Sequence, residues 1–407
     1  MPALSHPLLR LALLSAFIGA AAAQGVWAPQ TTVSAGLRDD LYGISFPDAK
    51  HGWAVGVNHG NDTGVILSTA DGGTTWTRST LDSVRAFTAV RFTSPDTGWL
   101  LGSARYPAVN GMFKTVDGGS HWVPQDAKLI GAYEYFLDAD HGWIGGYRTT
   151  NGGATWDPLG IGPDAPALSV SFINPDTGWT LGGATGIRKS VDGGAHWTPQ
   201  VSGTTNPMSS IFFADGKRGW ATGYSSNTSP VGLLLATTDG GTTWTPRDIG
   251  SIVGTLYCVS FPGKDTGWAM GRFGYILYSV DGGTTWTVQD RVTDKGLRSF
   301  VFVDAKTAWA AGDAGTILKY GGDATTGLRV QSMRGKSGQP IRKAVYHLSS
   351  ASRVQARILD ARGKVVSILF DGIQSAGDHE LGLPQSIRSG KGFLDFKIDG
   401  VQKALAD

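Results

Sequence analysis

Six glycine-rich segments each carry an acidic or amide side chain. A hydroxyl residue stands two positions before it and a tryptophan five positions after, as in Thr69-Ala70-Asp71-Gly72-Gly73-Thr74-Thr75-Trp76. They centre on Asp71, Asp117, Asn151, Asp192, Asp239 and Asp281. A carboxylate in a glycine-rich loop could ligate calcium or act as a general acid. Each segment offers a single carboxylate at most, whereas calcium collects roughly six to eight oxygen ligands. Glycoside hydrolysis needs two carboxyl groups about 5–10 Å apart, and nothing in the spacing designates such a pair. The pattern suits a hairpin turn instead. Gly-Gly accepts positive φ, the carboxylate accepts hydrogen bonds from turn amides, and the hydroxyl supports the same reversal. These six residues are therefore expected to be structural, with no metal, no cofactor and no catalytic residue assigned.

Other reactive-looking residues yield little. Gly335-Lys336-Ser337 has Val330 where a phosphate-binding loop requires glycine, and neither His-Glu-x-x-His nor Gly-x-Ser-x-Gly occurs. His121 and His196 lie inside the glycine-rich segments beside tryptophans, where packing is the expected role. Cys258, the single cysteine, sits in a strand-like run and reads as a small buried hydrophobe. One cysteine excludes an intramolecular disulfide framework and any cysteine-rich metal site.

The elements that position these segments follow from a repeat. Gly-Trp recurs at Trp53, Trp99, Trp143, Trp179, Trp220 and Trp268, with Ala308-Trp309 as a seventh copy. Seven residues before each stands a phenylalanine: Phe46, Phe92, Phe136, Phe172, Phe213, Phe261 and Phe302. The Gly-Trp tryptophans are 36 to 48 residues apart, the size of a four-stranded propeller blade. Each unit reads as a strand ending near Phe, a turn, a strand at Gly-Trp, a hairpin, a third strand, the Asp turn, and a fourth strand from the second tryptophan. The seventh unit lacks that second tryptophan. Trp27-Ala28-Pro29-Gln30 supplies it, since it matches Trp122-Val123-Pro124-Gln125 and Trp197-Thr198-Pro199-Gln200. The fold expected is all-β: a seven-bladed propeller over 24–323, closed by an N-terminal strand carrying Trp27.

Composition agrees. Of 407 residues, 59 are glycine and 14 tryptophan, only 17% are charged, and the net charge is +2. Charge this sparse excludes a disordered polyelectrolyte, and the near-neutral balance provides no bulk attraction to nucleic acid. Arg10, the apolar run Leu11–Ile18 and the small residues up to Ala23 read as a secretory leader over 1–23. No later segment is apolar enough to cross a membrane as a helix. Past a polar linker at 324–339, residues 340–407 change rhythm. Val354–Asp360 alternates, Val365–Phe370 reads as its partner, and His379–Leu383 and Gly392–Ile398 are further strands, giving a small immunoglobulin-like β-sandwich.

The Phe…Gly-Trp…Asp-Gly-Gly-x-x-Trp units resemble the bacterial neuraminidase-type, or Asp-box, repeat. Their layout with N-terminal closure is similar to the propeller family of the photosystem II stability and assembly factor. The tail, with Leu359-Asp360-x-x-Gly363-Lys364, Asp371-Gly372 and Ala376-Gly377-x-His379, resembles C-terminal sorting domains of the type IX secretion system. It ends in Ala404-Leu405-Ala406-Asp407 where a basic tail is usual in that family. These resemblances imply an exported, non-enzymatic assembly scaffold that presents one face to a protein partner, as a monomer, at the outer-membrane surface, outside the cell or in the periplasm. A secreted glycoside hydrolase or glycan-binding protein of the Asp-box type is the alternative. Sialidases of that type usually carry an Arg-Ile-Pro motif, and none occurs. By strand order, one face gathers Arg38, Arg85, Arg105, Arg272 and Arg298 near Tyr106, a composition suited to protein recognition. These six are the candidate binding residues.

Overall fold

Each Phe-to-Trp interval folds as two antiparallel strands whose register puts the phenylalanine opposite the glycine that precedes the tryptophan. Phe92 pairs with Gly98, Phe136 with Gly142, Phe172 with Gly178 and Phe213 with Gly219. The ring lies across its glycine so closely that an added Cβ would come within 2.1–2.6 Å of it in the first six units. That steric demand explains why Gly-Trp recurs. The structure, a computed structural model, describes residues 26–30, 38–81, 84–104, 111–125, 134–144, 146–159, 167–182, 186–225, 230–250, 252, 254–289, 291–321, 343–348, 352–359, 365–374, 377–382, 393–398 and 401–402. The leader and the linker read from the sequence lie outside these residues, apart from the start of the propeller at Val26.

Seven four-stranded antiparallel sheets result. Blade one comprises Asp39–Ser45, Gly52–Asn58, Thr63–Thr69 and Thr77–Ser79. Blades two to six repeat this order from Val84 to Val288. Blade seven is built from Leu297–Asp304, Thr307–Gly312 and Ile317–Gly321, and its fourth strand is Val26–Pro29. Trp27 pairs with Tyr320 and Ala28 with Lys319, so the first described strand completes the last sheet and covers the edge of Ile317–Gly321.

Ring stacking joins one blade to the next. Each Gly-Trp indole lies against the phenylalanine of the following blade: Trp53 on Phe92 at 3.4 Å, Trp143 on Phe172 at 3.7 Å, Trp179 on Phe213 at 3.6 Å and Trp220 on Phe261 at 3.6 Å. Across the closure, Trp309 stacks on Phe46 at 3.7 Å. The second tryptophan of each blade meets the edge of its own phenylalanine, as Trp76 does with Phe46 at 83° and Trp197 with Phe172 at 75°. Trp27 takes that same place in blade seven, meeting Phe302 at 83°.

Blade seven departs from the rule at one contact. Its glycine is replaced by Ala308, whose methyl takes the space a ring fills elsewhere. Phe302 accordingly sits 6.0 Å from Trp268, tilted by 31°, and Tyr320 fills the gap at 5.0 Å from Trp268.

The C-terminal residues form two further antiparallel sheets, completing an all-β chain. One pairs Lys343–Leu348 with Gly377–Gly382; the other runs Val365–Gln374, Ser352–Leu359, Phe393–Ile398, Val401–Gln402. Val354 and Ala356 are fully buried, as one face of a sandwich requires.

Candidate functional site

The Asp turns are hydrogen-bonded alike in all six blades that carry them. Thr69 Oγ1 donates to Asp71 Oδ1 at 2.8 Å and accepts from the Gly73 amide at 2.9 Å. Asp71 Oδ1 also accepts from the Thr75 amide at 2.9 Å, and Oδ2 from the Thr75 hydroxyl at 2.6 Å. Gly72 and Gly73 stand at φ 69° and 88°, in the left-handed region that a side chain resists. In blade three Asn151 reproduces the bonds, its Nδ2 donating to the Thr155 hydroxyl at 2.9 Å. The turns also latch neighbouring blades. Indole N–H groups of Trp143, Trp179 and Trp309 donate to the carbonyls of Gly193, Gly240 and Gly72 in the next blade, at 2.9, 3.0 and 3.2 Å.

At the tryptophan-adjacent position His121 and His196 replace threonine. Packing was the expectation for both, and the structure corrects it. Their rings are 86% and 89% exposed, and each Nδ1 meets the turn carboxylate, at 2.6 Å to Asp117 and 2.7 Å to Asp192. A histidine here does the work of the threonine hydroxyl. Cys258 is half-buried, its thiol facing the Met270 carbonyl, and burial pushes its pKa well up, which keeps it a thiol.

These bonds hold the turn carboxyls far from any acid chemistry near neutrality. Asp71 and Asp239 are lowered from an ordinary 3.8 to about 2, chiefly by the hydroxyls and amides of Thr75 and Thr243. Asp117 and Asp192 reach the same value through the amides and rings of His121 and His196. Since folding lowers these pKa values, the stabilisation is complete above the unfolded value and is lost as pH falls through 3.8 towards 2. Melting temperature should stay level from neutrality down to about pH 5 and fall steeply between about pH 4 and 2. Replacing all five turn aspartates by asparagine, as blade three has done, should flatten that acid limb; Asp281 is included because its carboxyl is lowered too. An unaltered limb would assign it to other carboxyls.

The opposite face carries the starts of the innermost strands and the hairpins between second and third strands. Six blades share a β-bulge there, four positions before the phenylalanine. The bulged residues are Tyr42, Thr88, Leu168, Ser209, Tyr257 and Arg298. A bulge frees its residue from cross-strand pairing and re-aims the side chain. Three of these groups meet. The Arg298 guanidinium lies 5.1 Å from the Tyr42 ring and 5.2 Å from the Tyr257 ring, between tyrosines of its two neighbouring blades. Its Nε donates to Asp313, which raises the guanidinium pKa further despite partial burial. The other N–H groups of Arg298 meet no acceptor among the described residues, and the side chain is 32% exposed. Close by, Asp40 accepts from the Ala314 amide at 2.9 Å and contacts His59 at 2.9 Å.

The other candidate binding residues are placed separately. Arg38 is exposed, its carbonyl accepting from the His59 amide at 2.8 Å. Arg85 pairs with Asp62 at 2.8 Å, and Arg272 stacks over Phe273 at 4.8 Å. No two of these guanidinium groups share a partner, so they line one face without forming a single cluster. Arg105 and Tyr106 lie outside the described residues. Tyr42, Tyr257 and Asp313 were not singled out from the sequence. The usable signal was positional, since Tyr42, Tyr257 and Arg298 all stand four residues before a repeat phenylalanine.

Among the described residues no group of three or more His, Cys, Asp or Glu side chains could hold a metal, and no helix is long and apolar enough to cross a membrane.

Known proteins resemble this chain in sequence over part of its length and in fold over the propeller. The family model for photosynthesis system II assembly factor YCF48 matches residues 149–250 and 203–291. A solved structure of YCF48 bound to D1 peptide is 22% identical, with a TM-score of 0.58 over 73% of this chain and 97% of that one. YCF48 from Cyanidioschyzon merolae is 24% identical, with a TM-score of 0.57 over 72% and 98%. A catalytically inactive virginiamycin B lyase from Staphylococcus aureus with quinupristin shares the fold at 11% identity, with a TM-score of 0.56 over 73% and 99%. Among curated proteins none matches the chain. The chain is thus a seven-bladed propeller similar in fold to the YCF48 structures, and residues 149–291 carry the sequence pattern of that family's model.

Proposed function

We propose that this chain is an exported, non-enzymatic scaffold whose propeller docks a segment of another protein on the face carrying Arg298. The observation that carries the reading is the guanidinium held between Tyr42 and Tyr257, with N–H groups that meet no acceptor among the described residues. Two rings and a carboxylate fix its position in advance, so a carbonyl or carboxylate on a partner is bound with little ordering cost. Arginine and tyrosine are the residue types that dominate protein interfaces. The peptide in the YCF48 structure supports a protein segment as the partner class.

Two observations favour a scaffold over a hydrolase. The Asp-turn carboxyls are engaged as acceptors and lowered, four of them to about 2, where a glycosidase acid needs its pKa raised. The described arginines of the binding face do not converge as a sialidase's cluster would: Arg272 lies over Phe273, Arg298 lies between two tyrosines, and Arg85 pairs with Asp62 of the preceding blade. Export rests on the leader-like residues 1–23, with the surface, the extracellular space and the periplasm as destinations.

Arg298→Lys keeps the charge opposite Asp313 and removes the planar fork. Cross-linked co-purification from the native host, read by quantitative mass spectrometry, should show the principal partner reduced at least about tenfold with melting temperature unchanged. Equal recovery, or turnover of a glycan panel by the wild type, would overturn the reading.

A further inference from the structure

The hairpin between the second and third strands of blade six is a tight turn, Gly271-Arg272-Phe273-Gly274-Tyr275, with Phe273 at φ 60° and ψ 24°. Blade seven builds the same turn from Gly312-Asp313-Ala314-Gly315-Thr316, with Ala314 at φ 55°. A left-handed backbone favours glycine or asparagine, and a bulky aromatic residue there is strained. Phe273 also remains 39% exposed and belongs to none of the apolar clusters formed by the described residues. A strained aromatic side chain outside the apolar clusters and exposed at the face argues that it is kept for something other than stability.

Its surroundings are cationic and ordered. The Arg272 guanidinium lies over the Phe273 ring at 4.8 Å and makes no ion pair among the described residues. Arg291 Nη1 donates to the Phe273 carbonyl at 3.2 Å, and its guanidinium lies 5.1 Å from the Tyr275 ring. Both arginines are exposed. An aromatic knob flanked by two guanidinium groups is complementary to an apolar side chain with carboxylates beside it.

We infer that Phe273 is an anchor for an acidic peptide segment carrying a large apolar residue, gripped through Arg272 and Arg291. This rests on the face proposed above and names the chemistry it accepts. A second macromolecular class, the anionic membrane surface, also takes an exposed phenylalanine beside arginines. The peptide is favoured because the strained turn fixes a single ring in one place, whereas insertion into a bilayer asks for several apolar side chains.

The test uses the full chain against an array of 12-residue peptides bearing one leucine or phenylalanine among Asp and Glu, with matched sets bearing Lys or Ser instead. Phosphatidylglycerol vesicles form the second arm. The acidic set should be retained selectively. Binding should weaken at least about tenfold both in Phe273→Gly and in the pair Arg272→Glu with Arg291→Glu. The melting temperature of Phe273→Gly should equal or exceed that of the wild type, because glycine relieves the turn. A lower melting temperature would make Phe273 a packing residue. Equal retention of the three sets, no retention at all, or vesicle binding lost in Phe273→Gly would each overturn the proposal. Acidic-peptide binding that survives Phe273→Gly but is lost in Arg298→Lys would remove the anchor and leave the docking face standing. Binding indifferent to both variants would remove the two together.

Discussion

Trp27→Ala should lower the melting temperature by on the order of 10 °C, the largest effect expected from any single tryptophan outside the inner strands. Trp27 is 4% exposed and touches three rings at once: Tyr320 at 5.2 Å, Trp268 at 5.8 Å and Phe302 at 6.3 Å. Removing a buried tryptophan costs about 3–5 kcal/mol through lost transfer energy and the cavity left behind. The cost here has a second part. Val26–Pro29 is held in blade seven by pairing with Leu318–Gly321, and without its anchor that strand can peel away, baring the edge of Ile317–Gly321. Trp197→Ala, in the equivalent place of blade four, is the control. Trp197 is partly exposed and its strand is covalently continuous with its own blade, so its loss should cost distinctly less. Trp27→Phe separates ring packing from hydrogen bonding. The indole N–H of Trp27 is buried and meets no partner among the described residues, so a phenyl ring should retain most of the stability. Calorimetry decides the case, and equal losses for Trp27→Ala and Trp197→Ala would remove the special role of closure.

The closure was legible because Trp27-x-Pro29-Gln30 repeats the outer-strand signature of other blades. The same holds wherever geometry forces residue identity. A glycine under a phenylalanine ring, two glycines at positive φ, and a hydroxyl two residues before an aspartate leave marks that a sequence must show. The binding face leaves no such mark. Its bulge is a matter of backbone register, and the residues it re-aims are as different as Tyr42, Thr88, Ser209 and Arg298. Asp313 and Phe273 belong to hairpins whose tight turn becomes visible only as a backbone conformation. The histidines misled for a related reason: at the position of Thr75, a side chain is selected for reaching a carboxylate, and His121 does that from solvent. In the C-terminal module the pairing of Lys343–Leu348 with Gly377–Gly382 joins segments far apart in the chain, and Lys343–Leu348 and Val401–Gln402 were not read as strands. Local alternation found the neighbouring pair, Ser352–Leu359 with Val365–Gln374.

Gly178→Ala provides the sharpest test of why the repeat has the form it has. The added methyl would lie 2.5 Å from the Phe172 ring. That ring has little room to retreat, because it stacks on Trp143 at 3.7 Å and meets the edge of Trp197 at 5.9 Å. Overpacking of this kind costs about 1–3 kcal/mol, and the strain should pass into blade three through Trp143. Blade seven shows what the fold does when the methyl is present from the start. With Ala308 in place, Phe302 no longer stacks on Trp268, and Tyr320 fills the space where other blades have threonine or serine. The reverse exchange, Ala308→Gly, creates no clash and should cost no more than about 1 kcal/mol, the conformational price of a strand glycine. The near-ultraviolet dichroism of the stacked indoles should change in Gly178→Ala and remain as in the wild type in Ala308→Gly. If both variants melt alike, the phenylalanine ring is not what keeps glycine before tryptophan, and the recurrence needs another cause.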